Sequence, residues 1–405
     1  MSLAVILQKS ECLAEERRTD TPMKILFLHI GTSKTATSSI QAFCAMNRPV
    51  LESKGFCYPH TIYSYPVTSD NRNAHFMVGK ITDGEGKRDR KEEERLFSLG
   101  MDEIHRCFEK YDNVVMSEEN IWLYSATTHK KLWNKLKVDA AACGYTIKII
   151  VYLRRQDALL SSRWNQMARR GSSMPTWSEY IREAPLKLNM LLDYAANLSR
   201  IAGFFEKENI IVRRFDRDSF FGGTIYADFF HCLGLEITDE YEELEADLNF
   251  SLKGNTFEIM RIMNTTPVLN KYNNLYWRKL VGMCSEESER NYKNSMFSKK
   301  EAETLLEHYR ESNERVATDF IGDGKPLFCY DVEDLPKWEK KNEHMLDDVI
   351  RVFTVIAYDL KERMDVLEKE NKDLKKQVTE NRLSIENVFR KGKRYISGKL
   401  EMKNK

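Results

Sequence analysis

The segment Lys24-Ile-Leu-Phe-Leu-His29, continuing as Ile30-Gly31-Thr32-Ser33-Lys34-Thr35-Ala36-Thr37-Ser38, decides the fold. Its first six residues form a short apolar run, the pattern of a buried strand. Gly31 then permits a tight turn, and hydroxyl residues lead into a helix expected over Thr37 to Met46. A strand passing through such a turn into a helix aligns backbone N–H groups with the positive end of the helix dipole, which makes an anion site. Lys34 adds a point charge, and Thr35, Thr37 and Ser38 add hydroxyl donors, so the loop suits a phosphate or a sulfate. It is not a Walker A loop, because that motif places a glycine before its lysine and Ser33 stands there.

Further apolar runs read as strands at Gly55–Tyr58, Asn113–Ser117, Lys148–Leu153 and Asn209–Arg213. Helical patterns separate them at Arg95–Lys110, Thr128–Cys143, Asp157–Arg169, Leu188–Glu208 and Thr224–Leu233. This alternation predicts an α/β, P-loop-like three-layer fold with a central, mainly parallel sheet. Such sheets bind ligands at the carboxyl ends of their strands. The charge run Gly84–Arg95 reads as a solvated loop and helix start.

A second cationic element follows Ile149-Ile-Val-Tyr-Leu153, whose strand ends in Arg154 and Arg155. An arginine fork there can grip a second phosphate bidentately. Ser162, on the next helix, offers its hydroxyl to the same anion, and Trp164 follows. A nucleotide kinase strand would finish here in a magnesium-holding Asp. This one finishes in cations. Two anion sites at two strand ends favour one ligand with phosphate-like groups at both ends.

At these residues the chain resembles sulfotransferases that use 3′-phosphoadenosine 5′-phosphosulfate (PAPS), in particular bacterial carbohydrate sulfotransferases. Their donor loop H-x-G-x-x-K-T-G-T-[ST] stands here as His29-Ile-Gly-Thr-Ser-Lys-Thr-Ala-Thr-Ser38. The resemblance implies that Gly31, Ser33, Lys34, Thr35, Ala36, Thr37 and Ser38 hold the 5′-phosphosulfate. The family pattern L-R-x7-S-x-[YW] matches Leu153, Arg154, Ser162 and Trp164, which implies that Arg154 and Ser162 bind the 3′-phosphate. Weaker echoes are Val114-Val-Met-Ser-Glu-Glu119, Asp228-Phe-Phe-His-Cys-Leu-Gly-Leu235 and Asn249-Phe-Ser-Leu252. Ala36 departs from the usual glycine; a positive φ there costs about 1 kcal/mol or more, unless the position is already helical.

The implied reaction is in-line displacement at sulfur by a hydroxyl of a carbohydrate or glycolipid, with Lys34 stabilising the leaving oxygen and no metal required. A base must accept the hydroxyl proton. His75, behind the second strand, ranks first, then Glu119 at a strand end (beside Glu118), then His29. Trp177, Tyr180, Tyr276 and Trp277 are candidate sugar-stacking residues, though aromatics at such spacings are more often core. The rival readings are a P-loop-like nucleotide kinase and a non-enzymatic coiled-coil scaffold with a vestigial nucleotide site.

The 405 residues carry 63 basic and 62 acidic side chains, a formal net charge of +1, so no global field argues for a nucleic-acid partner. Eight cysteines without a C-x-x-C pair read as buried thiols of a reduced compartment. Residues 1–22 read as a disordered leader, 23–265 as the α/β domain, 266–348 as its helical extension, 349–389 as a coiled coil or long helix, and 390–405 as a basic tail. From Ile350 through Phe353, Ala357, Leu360, Met364, Leu367, Asn371, Leu374, Val378, Asn381 and Ile385 to Val388, a 3–4 spacing fits a coiled coil through which the chain can form a homodimer. The expected location is cytoplasmic, with the tail available to anionic lipid at the inner membrane surface.

Overall fold

The computed structural model describes residues 23–66, 68–125, 130–170, 174–244, 252–266 and 275–401. The expected leader, residues 249–251 of the weakest motif echo and residues 402–405 of the tail lie outside the described residues.

Five strands, β1 (Lys24–His29), β2 (Phe56–Cys57), β3 (Asn113–Ser117), β4 (Tyr145–Leu153) and β5 (Ile210–Arg214), form one sheet in the order β2-β3-β1-β4-β5. Every pairing is parallel. The fold class is α/β, with helices around this sheet and a long helix, Met345–Glu401. β1 is the central strand; it pairs Leu28 with Met116 of β3 and Ile149 of β4. Leu26, Leu28, Val114, Val115, Ile149 and Val151 are fully buried, which is why these runs lack polar alternation. β4 starts at Tyr145, three residues before the apolar run. Lys148 fits within it because its stem lies along the sheet and its ammonium sits 5.9 Å from the centre of the Phe27 ring.

The connection from β1 runs to β2 on one side and that from β4 to β5 on the other. The carboxyl ends of β1 and β4 therefore flank the switch point, where such sheets leave a crevice. On one face of the sheet the helices Thr37–Met46 and Ile225–Leu233 pack aromatic against aromatic: the Phe43 ring lies 4.7 Å from that of Tyr226 and 5.3 Å from that of Phe230. Asp228 ties the second of these helices down, since its buried carboxylate accepts from Tyr152 Oη at 2.6 Å, Arg213 Nε at 3.0 Å and the Phe221 amide at 2.8 Å.

The helix expected over Leu188–Glu208 is two helices, Trp177–Leu192 and Tyr194–Ala202. Asp193 breaks it: its carboxylate accepts from the Ala196 amide at 3.1 Å and so caps the second helix. The first starts at Trp177, eleven residues before the expected Leu188, because Thr176 and Glu179 form a reciprocal capping box. The chain divides into two compact units. Among the described residues, the first carries the sheet, reaches Met167, resumes at Met174 and takes in Asn294–Trp338. The second holds the helices between Leu252 and Lys293 and the chain from Glu339. No helix among the described residues is long and apolar enough to cross a membrane.

Candidate active site

Beyond His29 the chain keeps pairing with β4: the Ile30 amide donates to the Ile150 carbonyl and the Thr32 amide to that of Tyr152, each at 3.0 Å. It then turns through three residues of positive φ, Gly31 (105°), Lys34 (71°) and Ala36 (56°). A Cβ built on Gly31 would sit 3.0 Å from the Glu119 Cβ and 3.1 Å from its Cα, so only glycine lets the loop approach the end of β3 this closely. Ala36 is left-handed at the N-cap of Thr37–Met46, and no side chain caps that helix. The sequence left open whether Ala36 is already helical; it is left-handed, and it carries the expected cost. The Thr35 and Thr37 hydroxyls, expected as anion donors, both donate to the Thr32 carbonyl, at 2.6 and 3.3 Å, and brace the turn, while Ser38 stays exposed in the first helical turn.

Arg154 reaches back from the end of β4, and its Nη1 donates to the Lys34 carbonyl at 3.0 Å. Its guanidinium lies 5.5 Å from the centre of the Phe215 ring. Burial pushes its pKa down, with the nearby Tyr194 and Asp157 opposing. Among the described residues no carboxylate stands within ion-pair distance of it. Arg155 does not join this site: it is bound to Asp157 at 2.9 Å and to the carbonyls of Cys329 and Asp331 at 3.0 and 3.2 Å. Ser162 is half-buried on the helix Gln156–Arg170 and, among the described residues, makes no hydrogen bond to Arg154. Its neighbour Arg163, which sequence reasoning passed over, donates from Nη1 to Ser33 Oγ at 2.9 Å and lies against Tyr180. Lys34 thus shares its loop with two arginines that contact it from outside, Arg154 and Arg163.

A second cluster closes the other side of that loop. Asn73 behaves like a strand residue at the free edge of β3, donating to the Val115 carbonyl at 3.0 Å and accepting from the Ser117 amide at 2.8 Å. This fixes His75 two residues on. The His75 ring stands edge-on to Tyr65, 4.4 Å between centres, and its Nδ1 lies 2.6 Å from Glu118 Oε2. Glu118 is fully buried. Burial pushes its pKa up, but the His75 and Arg72 contacts outweigh this and hold it below the usual carboxylate range. A Glu118 carboxylate makes Nδ1 the protonated nitrogen and leaves Nε2 of a neutral His75 able to accept a proton.

Arg72 bridges the two acids, bonding Glu118 through Nε at 3.1 Å and through Nη2, and lying 3.3 Å from Glu119 Oε1. Glu119 also accepts from Gln41 Nε2 at 3.3 Å. Burial, and then the charge of Glu118, raise its pKa. His29 is not in this cleft. It is fully buried between Tyr152 and Phe229, bonded to Ser117 Oγ at 2.9 Å, and burial pushes its pKa down to about 3. Trp177 and Tyr180 are core residues; Trp177 packs on Trp164 and Phe297 at 5.6 and 5.0 Å between ring centres. Tyr276, in the other unit, bonds to Asp359, with Trp277 edge-on to it.

No family model matches the chain. A protein of Archaeoglobus fulgidus described only as uncharacterized is 29% identical over 198 residues, 48% of this chain and 52% of that protein. The chain therefore spans about half the length of that relative. The crystal structure of a sulfotransferase from Alicyclobacillus acidocaldarius aligns with 62% of this chain and 97% of its own, at 18% identity and a TM-score of 0.32. A likeness that slight carries no argument, and the functional reading rests on the site itself.

Proposed function

We propose that the chain transfers the sulfuryl group of PAPS to a hydroxyl of a carbohydrate or glycolipid. One observation carries the reading: Arg154, a half-buried cation that forms no ion pair among the described residues, donates to the Lys34 carbonyl. A buried cation lacking a counter-ion is costly unless an anion binds there. Its adjacency to an uncapped helix N-terminus supports a ligand with two anionic groups. Arg163, which donates to Ser33 Oγ, adds a third cation beside the loop. The choice of this donor and of a sugar acceptor comes from the motifs around Lys34 and Arg154.

In this reading the acceptor O–H gives its proton to His75 Nε2 as the oxygen attacks sulfur in line. The bond from sulfur to the bridging phosphate oxygen breaks, and 3′-phosphoadenosine 5′-phosphate leaves with that electron pair. Lys34 and the loop amides stabilise the charge gathering on the leaving oxygen. Glu118 holds the His75 ring and stabilises the imidazolium that forms, while Arg72 keeps Glu118 ionised. Glu119, whose proton is retained to higher pH, is the reserve base.

The test is transfer of radiolabelled sulfate from PAPS to a panel of glycans and glycolipids, run with wild type and Lys34→Ala. Lys34→Ala should lower turnover at least about a hundredfold with the fold intact. Wild-type turnover in that variant, or a preference for ATP with magnesium over 3′-phosphoadenosine 5′-phosphate in thermal-shift binding, defeats the assignment.

A further inference from the structure

We infer that the helix Met345–Glu401 pairs with a second copy of itself as a parallel, in-register, two-stranded coiled coil. Two faces of this helix have different fates. One packs within its own unit: Asp348 accepts from Asn255 and Ser288 at 2.8 and 2.6 Å, Val352 and Ile356 are buried, and the Arg363 guanidinium lies 4.2 Å from the centre of the Tyr276 ring. The 3–4 stripe from Ile350 to Val388 is a different face, and it is left bare. Phe353 is 60% exposed, Leu367 56% and Leu374 58%. A continuous apolar stripe of that length on a solvated helix is the mark of a helix that has a partner.

The residues along the stripe say what the partner is. With Ile350 at heptad position a, leucines occupy d at 360, 367 and 374, and β-branched Val378 and Ile385 occupy a. That combination favours two parallel strands. Asn371 falls at a, where a parallel pair sets it against its own copy and lets the two amides bond each other. Charge fixes the same register. Glu370 sits at g and Lys375 at the following e, which face each other across a parallel in-register pair, once on each side of the seam. Both are exposed, and among the described residues neither makes an ion pair within its own chain. The next pair, Arg363 with Glu368, is also complementary, although Arg363 is held by Asp359 at 2.7 Å and by Tyr276. An antiparallel pair that stacks Asn371 on Asn381 would instead set Lys375 against Lys375.

Sedimentation equilibrium on the full chain tests this, with far-UV circular dichroism confirming that each variant folds. Wild type should be a dimer. Lys375→Glu replaces two attractive pairs by two repulsive ones and should weaken the dimer by roughly tenfold. The swap Glu370→Lys with Lys375→Glu should restore it. A wild-type monomer overturns the pairing. A dimer indifferent to Lys375→Glu, or not restored by the swap, overturns the parallel register. None of these outcomes depends on the proposed activity.

Discussion

Replacing Arg154 by methionine separates what this residue does for the fold from what it does for the ligand. The variant loses the Arg154–Lys34 hydrogen bond, about 1 kcal/mol net, and the contact with the Phe215 ring, about 0.5–1 kcal/mol. Against that, methionine removes a half-buried cation whose desolvation the charge of Asp157 only partly offsets, a cost comparable to or larger than those contacts, and fills much of the same volume. Stability should therefore equal or exceed that of wild type. Binding should move the other way. Two charge-assisted hydrogen bonds to a 3′-phosphate are worth together about 3 kcal/mol or more, roughly a hundredfold in affinity. Isothermal titration with 3′-phosphoadenosine 5′-phosphate and with adenosine 5′-phosphate reads this directly. Wild type should prefer the former by about that factor, and Arg154→Met should bind the two alike. If the variant keeps the wild-type preference, or unfolds at lower denaturant, the guanidinium is a structural brace and the two-anion argument is wrong.

Three further expectations follow from the same geometry. His75→Asn should remove the acid limb of the pH–rate profile of sulfuryl transfer while leaving donor binding in place; an unchanged profile moves the base role to Glu119. His29, held at about 3 in the fold against 6.5 unfolded, contributes stability that is present above 6.5 and lost as pH falls toward 3. Between pH 8 and pH 5 this comes to about 2 kcal/mol, so urea unfolding should show wild type losing that much relative to His29→Phe, and parallel pH dependences would contradict the burial argument. Ala36→Gly removes a left-handed Cβ at an N-cap and should stabilise the protein by up to about 1 kcal/mol in thermal unfolding; a lowered Tm would show that the loop needs the restraint of alanine more than relief from strain.

Much of the first unit was legible because its strands are short runs buried on both faces, and β1, β3 and β4 stand where those runs lie. The turn after β1 was legible for the same reason: a strand running through Gly31 into a hydroxyl-rich helix start is a local pattern. What the sequence hid is held by contacts between distant positions. Arg155 looked like half of a phosphate fork, but the carbonyls of Cys329 and Asp331, more than 170 residues on, claim it. Arg163 looked like any helical arginine, and only the placement of its helix brings it to Ser33. Arg72 gave no signal, since its meaning lies in two glutamates 46 and 47 positions away. The one available hint was the Ser-Glu-Glu end of β3, because two adjacent acids leaving a buried strand require a cation nearby. The break at Asp193 was missed because helical periodicity continues across it, and a lone cap residue does not disturb that period.

The Asn73 amide stands in for a missing rung of the sheet, and this separates two things that an enzyme loop usually combines. The residue proposed to take the proton is fastened to β3 through the Asn73 side chain, while the loop between Cys57 and Asn73 meets it through the Tyr65 ring. Substitutions at its exposed positions His60, Ser64 and Pro66 can reshape what lies beside the acceptor of the proposed reaction without shifting the imidazole that Tyr65 packs on. A new acceptor could thus be acquired at those three positions alone, leaving the proposed proton transfer intact.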